Sequence, residues 1–314
     1  MIKKIFFILA IVFTVCLVRD FCLKSLISTV ATNITGASTS IGGLSLSIIG
    51  QSIKISDLRM RDPQGFPNEV FVNIPKANVS WDLFAFFTGK IHLKSVELDI
   101  KEVVMIKNKD GQTNIQSLKM MQKKSDPREL LKTLQQIHIQ IDFLTLGIGR
   151  AVSKDYKAAA EPVIKVYNLN TRRSYRNINS LEQLAALIIS EPLKSAGLQS
   201  LTTYAVSMLT GVAALPVAAA FMFAAKDYDQ VTENISMNRA YEIGLNLLKR
   251  IGKVKSENKG EGVINAEVYS AHVVFKLRED FHHKIEITIS ARRIGFPQPE
   301  VASGVMYQFL EQLK

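Results

Sequence analysis

Cysteine is almost missing from this chain of 314 residues, which contains Cys16, Cys22 and no other thiol. Cys16 lies inside the first apolar run and Cys22 lies just beyond it, so a bridge between them is not expected. Neither a disulfide framework nor a C-x-x-C metal-ligand spacing is present. The rest of the chain has no thiol, so an oxidising compartment would leave it unchanged.

Motifs that carry catalysis are also missing. The five histidines have no HExxH pattern, no cysteine partner and no carboxylate cluster around them, so each is interpreted as a surface residue. There is no G-x-S-x-G elbow and no Walker loop. Gly147 and Gly149 form a GxG pair that lacks the third glycine, which indicates a strand feature. We expect no enzyme, no cofactor and no metal. The histidines are His92, His138, His272, His282 and His283.

Acidic residues are scarce relative to basic ones: 28 Asp and Glu stand against 39 Lys and Arg, a net charge of +11. Residues 226–314 hold 13 basic and 12 acidic residues, so about +10 belongs to residues 1–225. No basic stripe is interleaved with aromatics, so nucleic acid is not an expected partner. The excess charge favours anionic lipid headgroups.

The one long apolar run near the start predicts a membrane anchor over residues 1–28. Lys3 and Lys4 precede 14 uncharged residues, Ile5 to Val18, and apolar residues resume after Arg19-Asp20. Fourteen residues suit a secretory signal as well as a short span, but a clear cleavage site is missing. A retained anchor is preferred, and a cleaved signal remains the alternative.

Between residues 34 and 175 the apolar residues recur with a period of two, which predicts half-buried strands of an antiparallel sheet. The phase slips at Pro75, which indicates a bulge or an edge. An apolar sheet face needs a cover, and helices, another sheet or acyl chains could provide it. The candidate lipid-contacting residues are Ile53, Ile55, Val70, Val72, Ile74, Leu93, Val96 and Leu98.

A succession of short segments resembles the N-terminal region of the AsmA-like family of bacterial envelope proteins. In order they are Ile34-Thr35-Gly36, Ile41 to Ile49, Ile53 to Met60, Asp62-Pro63-Gln64-Gly65-Phe66, Val79 to Leu83, Gly89-Lys90-Ile91 and Asp110-Gly111-Gln112-Thr113-Asn114. The resemblance covers about residues 1–150 and implies a strand-rich scaffold related to chorein-type bridges that move lipids. This chain is much shorter than the large members, so its groove would be short.

The middle of the chain combines a basic cluster with an uncharged segment. Arg172, Arg173 and Arg176 are either a solvated turn or a site for lipid headgroups. Ser180 and Gln183 form a capping box that predicts a helix start. The 31 residues after Lys194 carry no charge. They could span a membrane, lie in its interface or pack on the sheet, and an apolar helical segment over 180–225 without a span is slightly preferred.

Residues 226–314 predict an independent α+β domain. A strand leads into a helix that ends at Gly252, three strands with clean alternation follow, and a last helix begins near Pro299. This part resembles a small uncharacterised domain of bacterial lipoproteins, which implies an envelope location and no catalysis. The segments that carry the resemblance are Ala225 to Tyr228, Gly262 to Ala266, Ser290 to Arg293 and Phe296 to Glu300.

Taken together, the sequence predicts an α+β protein with an N-terminal anchor helix, an AsmA- or chorein-like antiparallel sheet, an apolar helical middle and a small C-terminal α+β domain. The expected location is the bacterial inner membrane, with a single N-terminal anchor and the body in the periplasm. The expected function is to bind or help move lipids, or to support envelope biogenesis, with membrane lipid as the partner. The alternative is a non-enzymatic structural or adaptor protein whose C-terminal domain recruits an envelope protein.

Overall fold

A computed structural model of the chain describes residues 22–82, 85, 91–119, 139–157, 161–196, 213–214 and 227–314. Strands account for 52% of these residues and helices for 25%, arranged around two sheets. The chain divides into two compact units. Unit 1 comprises Met1–Met105, Gln112–Arg150 and Leu169–Ala218, and unit 2 comprises Ile106–Gly111, Ala151–Asn168 and Ala219–Lys314.

The described part of unit 1 begins with a helix, α1, over residues 22–35. The helix ends at Gly36, whose φ of +74° places it in the left-handed region that glycine tolerates best. The Gly36 amide donates to the Thr32 carbonyl over 2.7 Å, which satisfies one of the last helical carbonyls. This stop turns the chain into the first strand.

Seven strands form the first sheet, and they are adjacent in the same order as in the chain. Neighbours in the sheet are thus also neighbours along the chain, and most of them are joined by short connections. The strands are β1 (Thr39–Ser47), β2 (Ser52–Arg61), β3 (Val70–Trp81), β4 (Ile91–Lys107), β5 (Ile139–Asp155), β6 (Val163–Ile178) and β7 (Ala213–Ala214).

The pairing of β4 with β5 departs from the predicted antiparallel sheet. His92 contacts Asp142, and Glu102 contacts Arg150, so residue numbers rise together along the two strands. This is parallel pairing. It needs a crossover of a dozen or more residues, which the 31 residues 108–138 between the two strands provide. The strand periodicity was correct, but periodicity carries no information on strand direction.

The second helix of unit 1, α2 (Leu181–Ser195), follows β6 directly. The predicted capping box is confirmed, because the Gln183 amide donates to Ser180 Oγ over 3.1 Å. The Gln183 side chain in turn accepts from the Asn179 amide. The helix continues through Pro192 to Ser195.

The predicted membrane topology is wrong for the part of the chain that the structure describes. No helix among these residues is long and apolar enough to cross a membrane. Polar residues such as Lys24, Ser28 and Thr32 interrupt the apolar character of α1. Residues 1–21 of the predicted anchor lie outside the described residues. The assignment to the bacterial inner membrane through a single N-terminal anchor, with the body in the periplasm, is therefore not supported.

The predicted fold class, α+β with an anchor helix and an apolar helical middle, is also wrong, because the described residues are 52% strand and 25% helix and include no apolar membrane-spanning helix. In the segment 180–225 only α2 is a described helix. Ala213–Ala214 forms β7 instead and pairs with Tyr175 and Arg176 at the edge of β6. An edge strand offers unpaired backbone groups, and two alanines can satisfy them without any strand periodicity. Residues 197–212 and 215–226 lie outside the described part.

Unit 2 contains the second sheet, with strand order β13-β12-β11-β10-β9 and β8 paired to β12. Two helices, α3 (Met237–Ile251) and α4 (Pro299–Glu311), belong to the same unit. The predicted end of α3 at Gly252 and start of α4 at Pro299 are both confirmed. The strands are β8 (Tyr228–Glu233), β9 (Gly252–Asn258), β10 (Val263–Val268), β11 (Ala271–Glu279), β12 (Ile285–Arg293) and β13 (Phe296–Pro297).

Helix α4 is the centre of unit 2. Its six consecutive residues Val301 to Met306 are all buried, so more than a full turn is covered on every side. One side joins the apolar core of the second sheet, where the rings of Phe275 and Phe309 lie 5.4 Å apart. The other side meets the first residues of β6, up to Asn168, which belong to unit 2, since Asn168 Nδ2 donates to Ser303 Oγ over 2.9 Å.

The β10–β11 turn is strained and is held by its own tyrosine. Tyr269 and Ser270 have φ values of +51° and +62°, which suit a two-residue type I′ turn but are unusual for a residue as large as tyrosine. The Tyr269 hydroxyl donates to the Pro162 carbonyl over 3.1 Å and accepts from the Ile164 amide over 3.4 Å. These bonds fix the turn against the start of β6.

We expect Tyr269→Phe to lower the free energy of unfolding by about 1 kcal/mol at pH 8, because the hydrogen bonds of this part-buried hydroxyl to Pro162, Ile164 and Gln308 are lost. Burial, followed by the charge of Glu161, raises the pKa of Tyr269 above its ordinary value. A raised pKa in the folded state means that the stabilisation is complete below about pH 10 and is lost as pH rises through the folded value. Urea unfolding of both proteins from pH 8 to about pH 11 measures this.

The other buried tyrosines are present in both proteins, so their titration cancels in the difference. An advantage of the wild type that stays constant or grows up to about pH 11 would contradict the role given to the Tyr269 hydroxyl.

Candidate lipid-contact site

Five of the eight predicted lipid-contacting residues are buried by the protein itself. Ile53, Val70 and Leu93 keep partial exposure. The exposed fractions of the buried five are 0% for Val72, 1% for Ile74, 3% for Val96, 6% for Leu98 and 8% for Ile55. The structure thus leaves little of the predicted apolar stripe open to a ligand.

Cross-strand register divides the same residues into two groups. Ile53, Val79 and Val96 form one row, and Ile55, Ala77 and Leu98 form the next, so these side chains share a face. Val72 lies in a separate row with Met60 and Val103. The two groups are separated at Asp57, whose φ is +58°, and at Pro75 on the neighbouring strand. The slip predicted at Pro75 thus interrupts the stripe.

The three predicted headgroup-binding arginines lie in β6 rather than in a turn, and they do not form one cluster. Arg172 and Arg176 occupy alternate positions on one face, while Arg173 shares the opposite face with Tyr175. Arg172 forms an ion pair with Glu97, and this contact, more than any other, lowers the pKa of Glu97. Arg176 lies 4.8 Å from the centre of the Phe143 ring.

A different set of apolar side chains in unit 1 is open to solvent. Four isoleucine and phenylalanine residues are exposed at one end of the sheet, which we call the apolar end. Ile48 and Ile49 occupy the β1–β2 turn, Ile91 begins β4, and Phe143 lies near the start of β5. Their exposed fractions are 52%, 100%, 39% and 46%, respectively.

Hydrogen bonds join the segments that carry the apolar end. The Trp81 amide donates to the Gln51 carbonyl over 3.0 Å, and Lys94 Nζ donates to Gln51 Oε1 over 3.2 Å. These bonds tie the β1–β2 turn to the end of β3 and the start of β4. The β4 and β5 starts are tied in turn by His92 Nε2, which lies 2.8 Å from Asp142 Oδ2. The four exposed side chains therefore lie on segments that hydrogen bonds join at the same end of the sheet.

His92 follows Ile91 at the start of β4. Its Nδ1 lies 3.7 Å from Asp82 Oδ2, opposite the contact with Asp142, so the ring is held between two carboxylates. Gln140 donates to the second oxygen of Asp142 over 3.0 Å. Because both ring nitrogens of His92 contact carboxylates, the ring connects the start of β4 to the segment after β3 and to the start of β5. We interpret it as a structural contact.

Sequence reasoning did not select Ile48 and Ile49 as site residues, although a signal was present. The alternation of β1 stops at Ser47, and two isoleucines then stand together directly before Gly50. A turn normally carries polar residues, so adjacent isoleucines at a turn indicate an exposed apolar patch.

Gly147 and Gly149 lie inside β5, which confirms the strand interpretation of this pair. A Cβ on Gly149 would stand 2.6 Å from the Lys101 carbonyl oxygen, so glycine permits the close approach of β5 to β4. The two glycines border a shallow open groove of about 320 Å³ with Asp99, Lys101 and Asn170.

The histidines and carboxylates show no metal centre within the described ranges, where no group of three potential ligands comes together. His272 is exposed on β11, while His282 and His283 lie in the β11–β12 turn. His138 lies outside these ranges. Comparison with known protein families and with curated proteins gives no match for this chain. The AsmA-like resemblance therefore stays a prediction.

Proposed function

We propose that this protein is a non-enzymatic lipid-binding protein whose apolar end in unit 1 contacts the acyl region of a membrane surface. The observation that carries the proposal is the exposure of Ile48, Ile49, Ile91 and Phe143 at one end of the first sheet. Exposed apolar patches of this kind mark sites for proteins or membranes.

The chemistry around the apolar end favours lipid as the ligand. Removing an isoleucine or phenylalanine side chain from water stabilises the bound state by about 1.5–3 kcal/mol. Lys94 and Arg176 lie beside these side chains and carry the positive charge that anionic headgroups attract. Of the predicted headgroup-binding arginines, Arg176 is thus the one that the proposal retains.

The proposal differs from the sequence-based one in the surface that it uses. The sequence predicted contact along the strand faces, but most of those side chains are covered. Apart from Leu26 on α1, the exposed large apolar side chains in the described part of unit 1 lie at this sheet end. Kinship with AsmA-like proteins is consistent with lipid binding and is itself a proposal, based on the order of the short segments described above.

We expect the double variant Ile48→Ser, Ile49→Ser to bind phosphatidylcholine vesicles at least about tenfold more weakly than the wild type, because two apolar side chains leave the contact. Trp81 is the one tryptophan of the chain, and its backbone bonds to the β1–β2 turn, so it reports on this surface. The measurement is the blue shift of tryptophan emission during vesicle titration in high salt.

Phe281→Ser is a suitable control, since Phe281 is fully exposed in the β11–β12 turn of unit 2. The control should retain the emission shift. A wild-type protein without any shift, or a shift that the double variant retains, would refute the role of the apolar end.

A second candidate function is a structural or adaptor protein, and the burial of Val72, Ile74 and Val96 favours it. A sheet covered by its own chain needs no acyl chains. Mass spectrometry of solvent extracts from the purified protein separates the candidates. Co-purified phospholipid supports the first proposal, whereas a lipid-free protein with a crosslinked protein partner supports the second.

A further inference from the structure

A hairpin in unit 2 exposes apolar residues that its local geometry does not favour. β12 and β13 are joined through Ile294 and Gly295, with φ values of +50° and +81°. Two-residue turns of this kind favour Asn-Gly, and a β-branched residue with positive φ is a clear outlier. The presence of isoleucine here therefore has to be explained by something other than folding.

The hairpin tip is also almost fully open to solvent. Ile294 is 91% exposed, and Phe296, the partner of Arg293 across the strands, is 71% exposed. Burial in the folded chain therefore does not account for either side chain. Strained residues with exposed apolar side chains are typical of binding surfaces.

A basic cavity of about 230 Å³ adjoins the tip. It is lined by basic and hydroxyl side chains and one carboxylate: Lys255, Glu267, Ser270, His272, Arg292 and Arg293. Two of the basic side chains already have partners, since Lys255 pairs with Glu267 over 2.8 Å and Arg292 pairs with Asp227. In the described part of the chain, Arg293 forms no ion pair. The cavity thus offers a free guanidinium to an anionic group.

We propose that this hairpin is a lipid-contact site, in which the cavity holds the phosphate of an anionic phospholipid and Ile294 and Phe296 enter the boundary between headgroups and acyl chains. The inference rests on the proposed function, from which it takes lipid as the ligand. It adds the class of lipid and a second contact, in unit 2. We call this surface the basic hairpin, comprising residues 292–297 and the cavity beside them.

The combination of charge and apolar exposure decides between ligands. A free phosphate ion would use the cavity but leave Ile294 and Phe296 in water. A neutral membrane surface would use the two apolar side chains but not Arg293. An anionic bilayer surface uses both, because basic residues near the surface and inserted apolar residues act together.

The test uses the full chain with Trp81→Phe and Phe296→Trp, so that the emission reports on the hairpin alone. Vesicles of phosphatidylglycerol should shift the emission to the blue, and vesicles of phosphatidylcholine should shift it much less. Adding Arg293→Gln should weaken phosphatidylglycerol binding about fivefold, while Arg278→Gln on the same sheet should leave it unchanged. Circular dichroism checks that each variant is folded.

Vesicle sedimentation of the chain that retains Trp81 and Phe296, with and without Ile294→Ser, gives a second measurement free of the probe. Equal shifts with both lipids would overturn the assignment to anionic lipid. The same shift with inorganic phosphate or polyglutamate, without vesicles, would overturn lipid in favour of a soluble anion or an acidic protein. If Trp81 in the wild type responds to phosphatidylcholine while the Phe296→Trp probe shows no emission shift with phosphatidylglycerol, this inference fails and the proposed function stands. If the Phe296→Trp probe responds to phosphatidylglycerol while Trp81 gives no response to phosphatidylcholine, only the role of the apolar end is refuted.

Discussion

The Gly304→Ala variant is expected to lose about 3 kcal/mol of unfolding free energy, although alanine is normally the better helix residue. A Cβ at this position of α4 would overlap the carbonyl oxygen of Ile164 and press on the backbone of Lys165. Backbone atoms of β6 cannot move aside as a flexible side chain could. Helix α4 is covered on all sides, so it cannot shift to relieve the overlap.

Gly260→Ala is the matched control, because its Cβ would meet nothing closer than Asn258 Oδ1 at 3.5 Å. Urea unfolding followed by far-UV circular dichroism compares both variants with the wild type. A Gly304→Ala protein as stable as the control would show that α4 does not pack tightly on β6.

The Asn114→Leu variant is expected to lose a similar amount, about 3 kcal/mol. Asn114 is fully buried, and its Nδ2 donates to Asp62 Oδ1 over 2.8 Å and to the Val104 carbonyl over 2.9 Å. Leucine has a similar size but no donor, so a buried carboxylate and a buried carbonyl would each lose a hydrogen bond.

Asn68→Leu provides the control, since Asn68 is exposed in the segment between β2 and β3. Thermal unfolding of the two variants gives the comparison. Equal midpoints would mean that the contact between Asp62 and Asn114 is replaced by water at little cost, and the contact would then have no structural importance.

The contact between Asp62 and Asn114 also shows what short motifs can reveal. The Asp62-Pro63-Gln64-Gly65-Phe66 and Asp110-Gly111-Gln112-Thr113-Asn114 segments are far apart in sequence and were selected for a family resemblance. The structure brings the ends of both together in the interior of unit 1. Asp62 and Asn114 therefore stabilise the interior of unit 1 in this chain, and this role can be stated without any assumption about function.

Periodicity predicted the positions of most strands, because alternation follows directly from burying one face of a strand. In the second sheet the alternating residues Ile264, Ala266 and Val268 are all fully buried, as are Ile287 and Ile289 on β12. Strand β9 was not predicted, because it follows α3 without a loop and, as an edge strand of the second sheet, carries lysines. Its pattern resembles a polar linker, and pairing with β10 makes it a strand.

The candidate site was harder to predict than the strands. Periodicity identifies apolar faces but not what covers them, so Val72 and Ile74 could be selected as ligand contacts although the protein buries them. Exposure depends on the placement of distant segments. The basic hairpin was visible as the sequence Arg292 to Phe296, but its cavity arises only when β9, β10, β11 and β12 lie side by side.

The parallel pair in the first sheet has a consequence for how this chain reaches its folded state. β1 to β4 can pair in succession as each strand leaves the ribosome, since only short connections separate them. β4 must then wait for the 31-residue crossover before β5 reaches its free edge, and closing such a loop is slow. During that interval one edge of this 17-residue strand, which has four adjacent apolar residues, Val103 to Ile106, remains unpaired. An open edge of this kind is a site where the nascent chain is prone to aggregate and where a chaperone can bind.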